Sequence, residues 1–270
     1  MYNTYFQVRT KEVFVFRVWE GARYPRSKED LPKRKAYSGE VTRGAVKRMR
    51  KAISLIVQKT PTRKIFNPVS KSYHDFSIGF TTLTIGDQQG KSEKQVYQEL
   101  LAPWLRWARR KGMKDYVWRA ELQERGAVHY HLITNVFLHY QEMQDTWNRY
   151  QKKHGYLQSF GRKHGHFRPN SVDVHSVWKV GDIESYMSKY MTKDVGAVVD
   201  GKIWDASRNL KSARYYTDYL TPGNLDRLRT IAQKEKQSEH CTIFNLNKGY
   251  QSYVLDSVQK ASYYKYLRSI

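Results

Sequence analysis

Two histidines separated by one residue, His129 and His131, are the first side chains that could do chemistry together. They lie in a run of apolar and β-branched residues that is typical of a β-strand. Side chains two apart on a strand project from the same face, about 7 Å apart along it. Because imidazole nitrogens are good ligands for transition metals, this spacing predicts that the two rings share one cation.

A carboxylate is available to complete such a site. Glu121 precedes His129 by eight residues, and a turn near Arg125 or Gly126 would place it beside His129 on a paired strand. Glu124 is a rival carboxylate nearer the turn. Oxygen ligands favour magnesium or manganese, and the helical pattern of zinc hydrolases is absent. The alternative interpretation is a pair of histidines with ordinary hydrogen-bonding partners.

The second candidate group is a pair of tyrosines with lysines, Tyr186, Lys189, Tyr190 and Lys193. On a helix, Tyr186 and Tyr190 would lie on one face a single turn apart, about 6 Å. A tyrosine with a pKa of about 10 is a poor nucleophile, and a neighbouring ammonium lowers that pKa or stabilises the transition state. Two phenols suit two successive attacks on phosphate. Because the chain has 21 tyrosines, a core stripe is the alternative interpretation.

The composition favours a polyanionic partner. The 270 residues include 48 lysines and arginines against 25 aspartates and glutamates, a formal net charge of +23. Phosphate contacts dominate affinity for nucleic acid, so this excess predicts nucleic-acid binding. Anionic membrane is the competing partner, but no apolar run approaches a membrane span, and no leader is expected. The single cysteine, Cys241, fits a reducing cytosol and is expected to be a small buried residue.

The periodicity of apolar residues predicts one domain of antiparallel sheet with packed helices. Phe76–Ile85 is the clearest strand, and a hairpin is predicted from 116–123 and 128–137. Ser92–Gln95 has the pattern of a capping box, and Pro103 should kink the helix that follows. The other predicted elements are a strand at 12–19, a basic amphipathic helix at about 42–58, a helix at about 140–153, a mobile loop at 155–170, a strand at 172–180, the tyrosine helix at 182–194, a strand near 241–246, and a final helix or aromatic-basic arm at 250–267.

Three motifs occur in a fixed order: Phe80-Thr-Thr-Leu-Thr84, His129-Tyr-His131, and Tyr186-Met-Ser-Lys-Tyr-Met-Thr-Lys193. Together they resemble the motifs of HUH endonucleases, most closely the replication-initiation proteins of microvirus-type phages and related rolling-circle proteins. The resemblance implies an α+β fold of the HUH/RRM-like kind, with a five-stranded antiparallel sheet and flanking helices. It spans about 76–212, so we expect a basic segment at 1–75, a nuclease core at 76–212 and an extension of the same domain at 213–270.

The resemblance also implies roles for particular residues. His129 and His131, with Glu121, would hold Mn²⁺ or Mg²⁺. Tyr186 and Tyr190 would be paired nucleophiles that form a covalent 5′-phosphotyrosine, with Lys189 assisting them. Arg119 and Lys193 are the predicted DNA contacts. The implied substrate is single-stranded or hairpin DNA at a replication origin.

The wider expectations follow from the same family. No nucleotide-binding motif is present, because Gly86 to Ser92 has one residue too few for a phosphate-binding loop. A host helicase and polymerase are therefore expected partners, in a bacterial cytoplasm if the chain is phage-encoded. Two alternatives stay open. One is an HUH transposase or relaxase with the same chemistry, and the other is a non-enzymatic protein that binds single-stranded DNA through basic and stacking side chains.

Overall fold

The computed structural model describes residues 2–8, 12–19, 39–67, 70–87, 90–175, 187–189, 191, 198–219, 221–224, 226–227, 230, 243–246 and 250–254. The chain forms two compact units. One unit combines Met1–Lys35 with Arg214–Ile270, and the other is Ala36–Ala213. The division into segments 1–75, 76–212 and 213–270 stays a prediction.

A five-stranded antiparallel sheet organises the larger unit. In chain order its strands are β5 (Gly79–Thr84), β6 (Tyr116–Leu122), β7 (Val128–Thr134), β8 (Val172–His175) and β9 (Trp204–Ala206). Their order across the sheet is β8-β5-β7-β6-β9, so β7, which carries both histidines, is central. The predicted fold, an α+β arrangement with a five-stranded antiparallel sheet and flanking helices, is confirmed.

Helices flank this sheet. They are α1 (Arg43–Lys59), α2 (Glu93–Val96), α3 (Ala102–Arg110), α4 (Tyr140–Lys153), α5 (Gln158–His164) and α6 (Arg208–Ser212). Thr42 caps α1, and Ser92 with Gln95 forms the predicted capping box at the start of α2. The predicted kink appears as a π-helical turn, Tyr97–Leu101, which places Pro103 in the first turn of α3. A proline there loses no hydrogen bond that the helix needs.

The two faces of the sheet differ in chemistry. Trp118 of β6 and Tyr130 of β7 lie on one face, where they pack edge to face at 5.8 Å and Tyr130 also contacts Trp147 of α4. These three side chains are at most 1% exposed and anchor the main apolar core. By the alternation of strand side chains, Arg119, Glu121 and both histidines lie on the opposite face. Burial of one face therefore determines which side chains are left for the site.

Two expectations from the sequence are wrong. The predicted mobile loop at 155–170 contains helix α5, which Gly165 ends in the left-handed conformation. The sequence prediction missed it because seven residues are too short for a clear periodicity. The predicted final helix or arm at 250–267 begins instead with strand β12 (Tyr250–Val254). The rest of that segment lies outside the described residues.

The smaller unit also contains a five-stranded antiparallel sheet, with strand order β10-β1-β2-β12-β11. Its remaining strands are β1 (Tyr2–Val8), β2 (Glu12–Trp19), β10 (Tyr216–Tyr219) and β11 (Ile243–Leu246). Strands from both ends of the chain therefore pair directly. In the larger unit, β3 (Arg63–Asn67) and β4 (Ser72–Phe76) form a separate hairpin. Within the described residues, no helix is long and apolar enough to cross a membrane.

Candidate metal centre

Strand register brings the predicted ligands together. In the β6–β7 hairpin, Glu121 lies directly opposite His129, and Arg119 lies opposite His131. Opposed residues on antiparallel strands have their Cβ atoms about 5 Å apart, so the carboxylate reaches both rings. The pairing of Glu121 with His129 that the turn position predicts is confirmed.

The three side chains form a compact cluster. Nε2 of His131 lies 2.9 Å from Oε2 of Glu121, and Nε2 of His129 lies 3.4 Å from the same oxygen. The two ring centroids are 4.5 Å apart, closer than the strand spacing alone predicts, because the rings lean toward each other. The potential ligand atoms all lie within 4.8 Å of one another. Such a set can converge on one cation.

Glu121 is the carboxylate of this cluster. Its side chain is 13% exposed, which keeps the carboxylate at the edge of solvent while it contacts both rings. Glu124 lies in the exposed turn beyond β6. The cluster in the described part of the chain contains Glu121 with the two histidines and does not include Glu124.

A threonine holds the second histidine from behind. Oγ1 of Thr82 lies 3.0 Å from Nδ1 of His131, on the adjacent strand β5. Phe80 stacks on the same ring at 5.8 Å. Thr82 was not assigned a role from the sequence, although it lies in the first of the three motifs. A signal was available there, since a threonine at a same-face position beside a metal-ligating histidine can orient the ring.

Electrostatics keep the His131 ring neutral. Burial lowers the pKa of His131, and the hydrogen bond to Glu121 opposes that shift without cancelling it. The positive charges of His129, when protonated, and Arg119 lower this pKa further. A neutral imidazole keeps a lone pair for a metal, and ligating histidines must be neutral.

The donor set fits a divalent cation. Two imidazole nitrogens and one carboxylate oxygen supply three ligands, which leaves positions open for water or a substrate oxygen. The second nitrogen of His131 has a hydrogen-bonding partner in Thr82, as ligating histidines usually do. The cluster could therefore hold a metal ion through side chains that the fold already orients.

The other predicted site residues are placed less completely. Lys189 is exposed in a helical stretch at 187–189, while Met187 and Met191 are fully buried. Tyr186, Tyr190 and Lys193 lie outside the described residues. Arg119 is 1% exposed, opposite His131, so its role as a DNA contact stays a prediction.

The sheet and its cluster define a class of protein with a metal-binding capacity on an α+β scaffold. Residues 78–195 match a family model of replication-associated proteins, the ORF2 type. That stretch contains strands β5 to β8 and all three members of the cluster. The match supports a family of replication initiators. Comparison with curated proteins and with solved structures gave no match.

Proposed function

We propose that this chain initiates rolling-circle replication by nicking and rejoining one DNA strand at an origin. The observation that carries the proposal is the cluster of Glu121, His129 and His131, which lies inside the stretch that matches a replication-associated family. A basic chain with a net charge of +23 suits a DNA substrate.

The proposed nucleophiles are Tyr186 and Tyr190. One phenol oxygen attacks the scissile phosphorus and loses its proton, the bond from phosphorus to the 3′ oxygen breaks, and that oxygen leaves as a 3′-hydroxyl. The 5′-phosphate stays on the tyrosine as a phosphodiester. Attack by a 3′-hydroxyl on this phosphotyrosine reverses the exchange and reseals a strand, so no outside energy source is needed. Two tyrosines allow a second cleavage before the first is resolved.

The remaining residues of the proposed site position charge. Lys189 would stabilise the phenolate, since an ammonium near a tyrosine favours the ionised form. Glu121, His129 and His131 would hold Mn²⁺ or Mg²⁺, whose bound form supplies Lewis-acid polarisation of a phosphate oxygen. Thr82 keeps His131 in one orientation, so that Nε2 faces Glu121.

We further propose that the chain depends on a host helicase and polymerase, and that it acts in the cytoplasm of a bacterial host. The segment between β5 and α2 joins a strand to a helix but lacks the spacing of a phosphate-binding loop. Its Ser92 hydroxyl accepts a hydrogen bond from the Gln95 backbone, which is the role of a helix cap. This supports an initiator without its own nucleotide-driven motor.

The test is covalent capture of DNA. The purified chain is incubated with Mn²⁺ and single-stranded or hairpin oligonucleotides from its own replicon, and products are separated on a denaturing gel. We expect an adduct that survives denaturant, disappears with a chelator, and is absent from the double variant Tyr186→Phe, Tyr190→Phe. Tyr73→Phe, which alters an exposed tyrosine of the β3–β4 hairpin, is the matched control and should form the adduct normally.

Two outcomes would contradict the proposal. An adduct that persists in the double tyrosine variant would remove Tyr186 and Tyr190 as nucleophiles. Metal-independent DNA binding with no adduct on any replicon oligonucleotide would favour the non-enzymatic binding protein. Cleavage at transposon or plasmid-transfer ends in preference to the origin would favour the transposase or relaxase alternative.

A further inference from the structure

A continuous acid-free segment covers part of the larger unit beside the metal centre. Between Asp145 and Asp173 the chain contains no aspartate or glutamate. All lysines and arginines in this interval are exposed. They are Arg149, Lys152, Lys153, Arg162, Lys163 and Arg168, and we call them the basic surface.

The basic surface is built on an ordered support. Oδ2 of Asp87 accepts hydrogen bonds from the backbone N–H groups of Ser159 and Phe160, at 2.6 and 3.0 Å, and so caps helix α5. The Lys152 ammonium lies 4.7 Å from the centre of the Phe167 ring, which ties α4 to the segment after α5. The charges are therefore held at set positions on the surface.

Aromatic rings lie among these charges. Phe160 contacts the His164 ring at 4.4 Å and the His166 ring at 5.3 Å, and the two imidazoles are 6.2 Å apart. Both histidines are exposed, and Phe160 is half-buried. Rings of this kind stack on unpaired bases, and a groove that combines them with cations is typical of single-strand binding.

The same end of the sheet carries the metal centre. Thr84, at the end of β5, is the direct partner of His129. The Trp147 indole of α4 donates to the Thr84 carbonyl at 2.7 Å, and the Gly86 N–H donates to Gln151 at 2.7 Å. Helix α4 is thus joined both to the strand partner of a metal ligand and to the turn that follows it.

We propose that the basic surface, together with the rings of Phe160, His164 and His166, binds the single-stranded DNA that adjoins the cleavage site. Arg162, Lys163 and Arg168 would contact phosphates, and the rings would stack on bases. This inference rests on the proposed function for the identity of its ligand. An anionic membrane would use the charges but has no need of the ring cluster, so single-stranded DNA is the partner that both features fit.

The experiment measures binding separately from cleavage. Anisotropy of a fluorescent oligo-dT is recorded with chelator present, over a series of salt concentrations. The triple variant Arg162→Ala, Arg168→Ala, Lys163→Ala should bind more weakly, and the slope of log K against log salt should fall by about 2, since each single-strand phosphate contact contributes about 0.7.

A matched triple variant controls for net charge. Arg106, Arg110 and Lys114 are also exposed, but they lie on or just after α3, which leads into the start of β6 away from Glu121. Changing these three to alanine removes the same charge and should leave the salt slope within experimental error. Equal slopes for the two triple variants would overturn the proposal.

The ring cluster has its own test. The double variant His164→Ala, His166→Ala should weaken oligo-dT binding about fivefold or more with an unchanged salt slope, because stacking releases no counterions. Unchanged affinity would overturn the stacking role, and binding of wild type to anionic vesicles but not to oligo-dT would overturn the choice of ligand. If no covalent adduct forms in the capture experiment but these binding losses occur, the proposed nicking fails and the binding surface stands.

Discussion

Thr82 and His131 form a pair in which the threonine hydroxyl lies 3.0 Å from Nδ1, on the side of the ring away from Glu121. If Nε2 binds a metal, Nδ1 carries the proton and donates it to the Thr82 oxygen. The pair therefore selects one tautomer and one ring orientation. The hydroxyl comes from β5, the ring from β7 and the carboxylate from β6, so three adjacent strands build the centre.

The role of Thr82 can be tested by metal affinity. Thr82→Val keeps the size of the side chain but removes the hydroxyl, and we expect Mn²⁺ to bind about 10- to 100-fold more weakly by calorimetry. Thr82→Ser should restore most of the affinity. Thr81→Val is the matched control, since Thr81 is also buried in β5 but points to the other face of the sheet. Equal affinities for Thr82→Val and Thr81→Val would exclude the orienting role.

The choice of carboxylate gives a second prediction. Glu121→Gln replaces a charged ligand by a neutral amide of the same shape, and Mn²⁺ affinity should fall by at least tenfold, about 1.4 kcal/mol. Glu124→Gln changes the exposed turn carboxylate and should leave the affinity unchanged. His131→Ala should also lose binding, while His74→Ala, in the exposed strand β4, should retain it. A larger loss from Glu124→Gln than from Glu121→Gln would reverse the assignment.

A third prediction concerns the pH dependence of stability through Asp205. Its carboxylate accepts hydrogen bonds from Lys202 at 2.6 Å and Lys211 at 3.0 Å. Burial raises the pKa of Asp205, but these hydrogen bonds outweigh burial and hold the pKa below its ordinary value of 3.8. Because the unfolded chain binds this proton more tightly, the stabilisation is complete above the unfolded-state pKa and is lost as the pH falls through the lowered folded-state pKa.

Asp205→Asn should therefore lower the free energy of unfolding by about 1 kcal/mol at pH 7, since both lysines are half exposed and solvent screens the pairs. The difference from wild type should shrink below about pH 4, where the wild-type carboxylate becomes protonated. Urea unfolding at pH 7 and pH 3 measures both values. Asp75→Asn removes a more exposed pair with Lys64 and should change stability by less than about 0.5 kcal/mol. A pH-independent difference for Asp205→Asn would contradict the assignment.

Gly161 supports the position of the basic surface, which leads to a fourth prediction. A Cβ atom at this position in α5 would overlap the Phe167 ring. Gly161→Ala should displace that ring and lower the free energy of unfolding by about 1 kcal/mol, at the low end for overpacking because Phe167 is only partly buried. A Cβ at Gly90 meets open space, so Gly90→Ala should be neutral in the same thermal unfolding measurement. Equal melting temperatures for both variants would show that Phe167 adjusts without cost.

Much of the centre could be predicted from local pattern. The alternation of a strand places His129 and His131 on one face, and the length of the turn places Glu121 opposite His129. These inferences need only the period of a strand and one short loop. Thr82 could not be paired with His131 in this way, because 49 residues separate them and the neighbouring strand is selected by packing of the whole sheet.

The sequence by itself determined the residue types, the strand and helix periods, the spacing of the histidines and the large positive charge. Tertiary structure alone decided that Arg119 is buried opposite His131, that Asp87 caps α5, and that strands from both chain ends form one sheet. The physical reason is that local periodicity depends on neighbours a few residues apart, whereas burial and long-range pairing depend on which apolar faces meet when the whole chain folds.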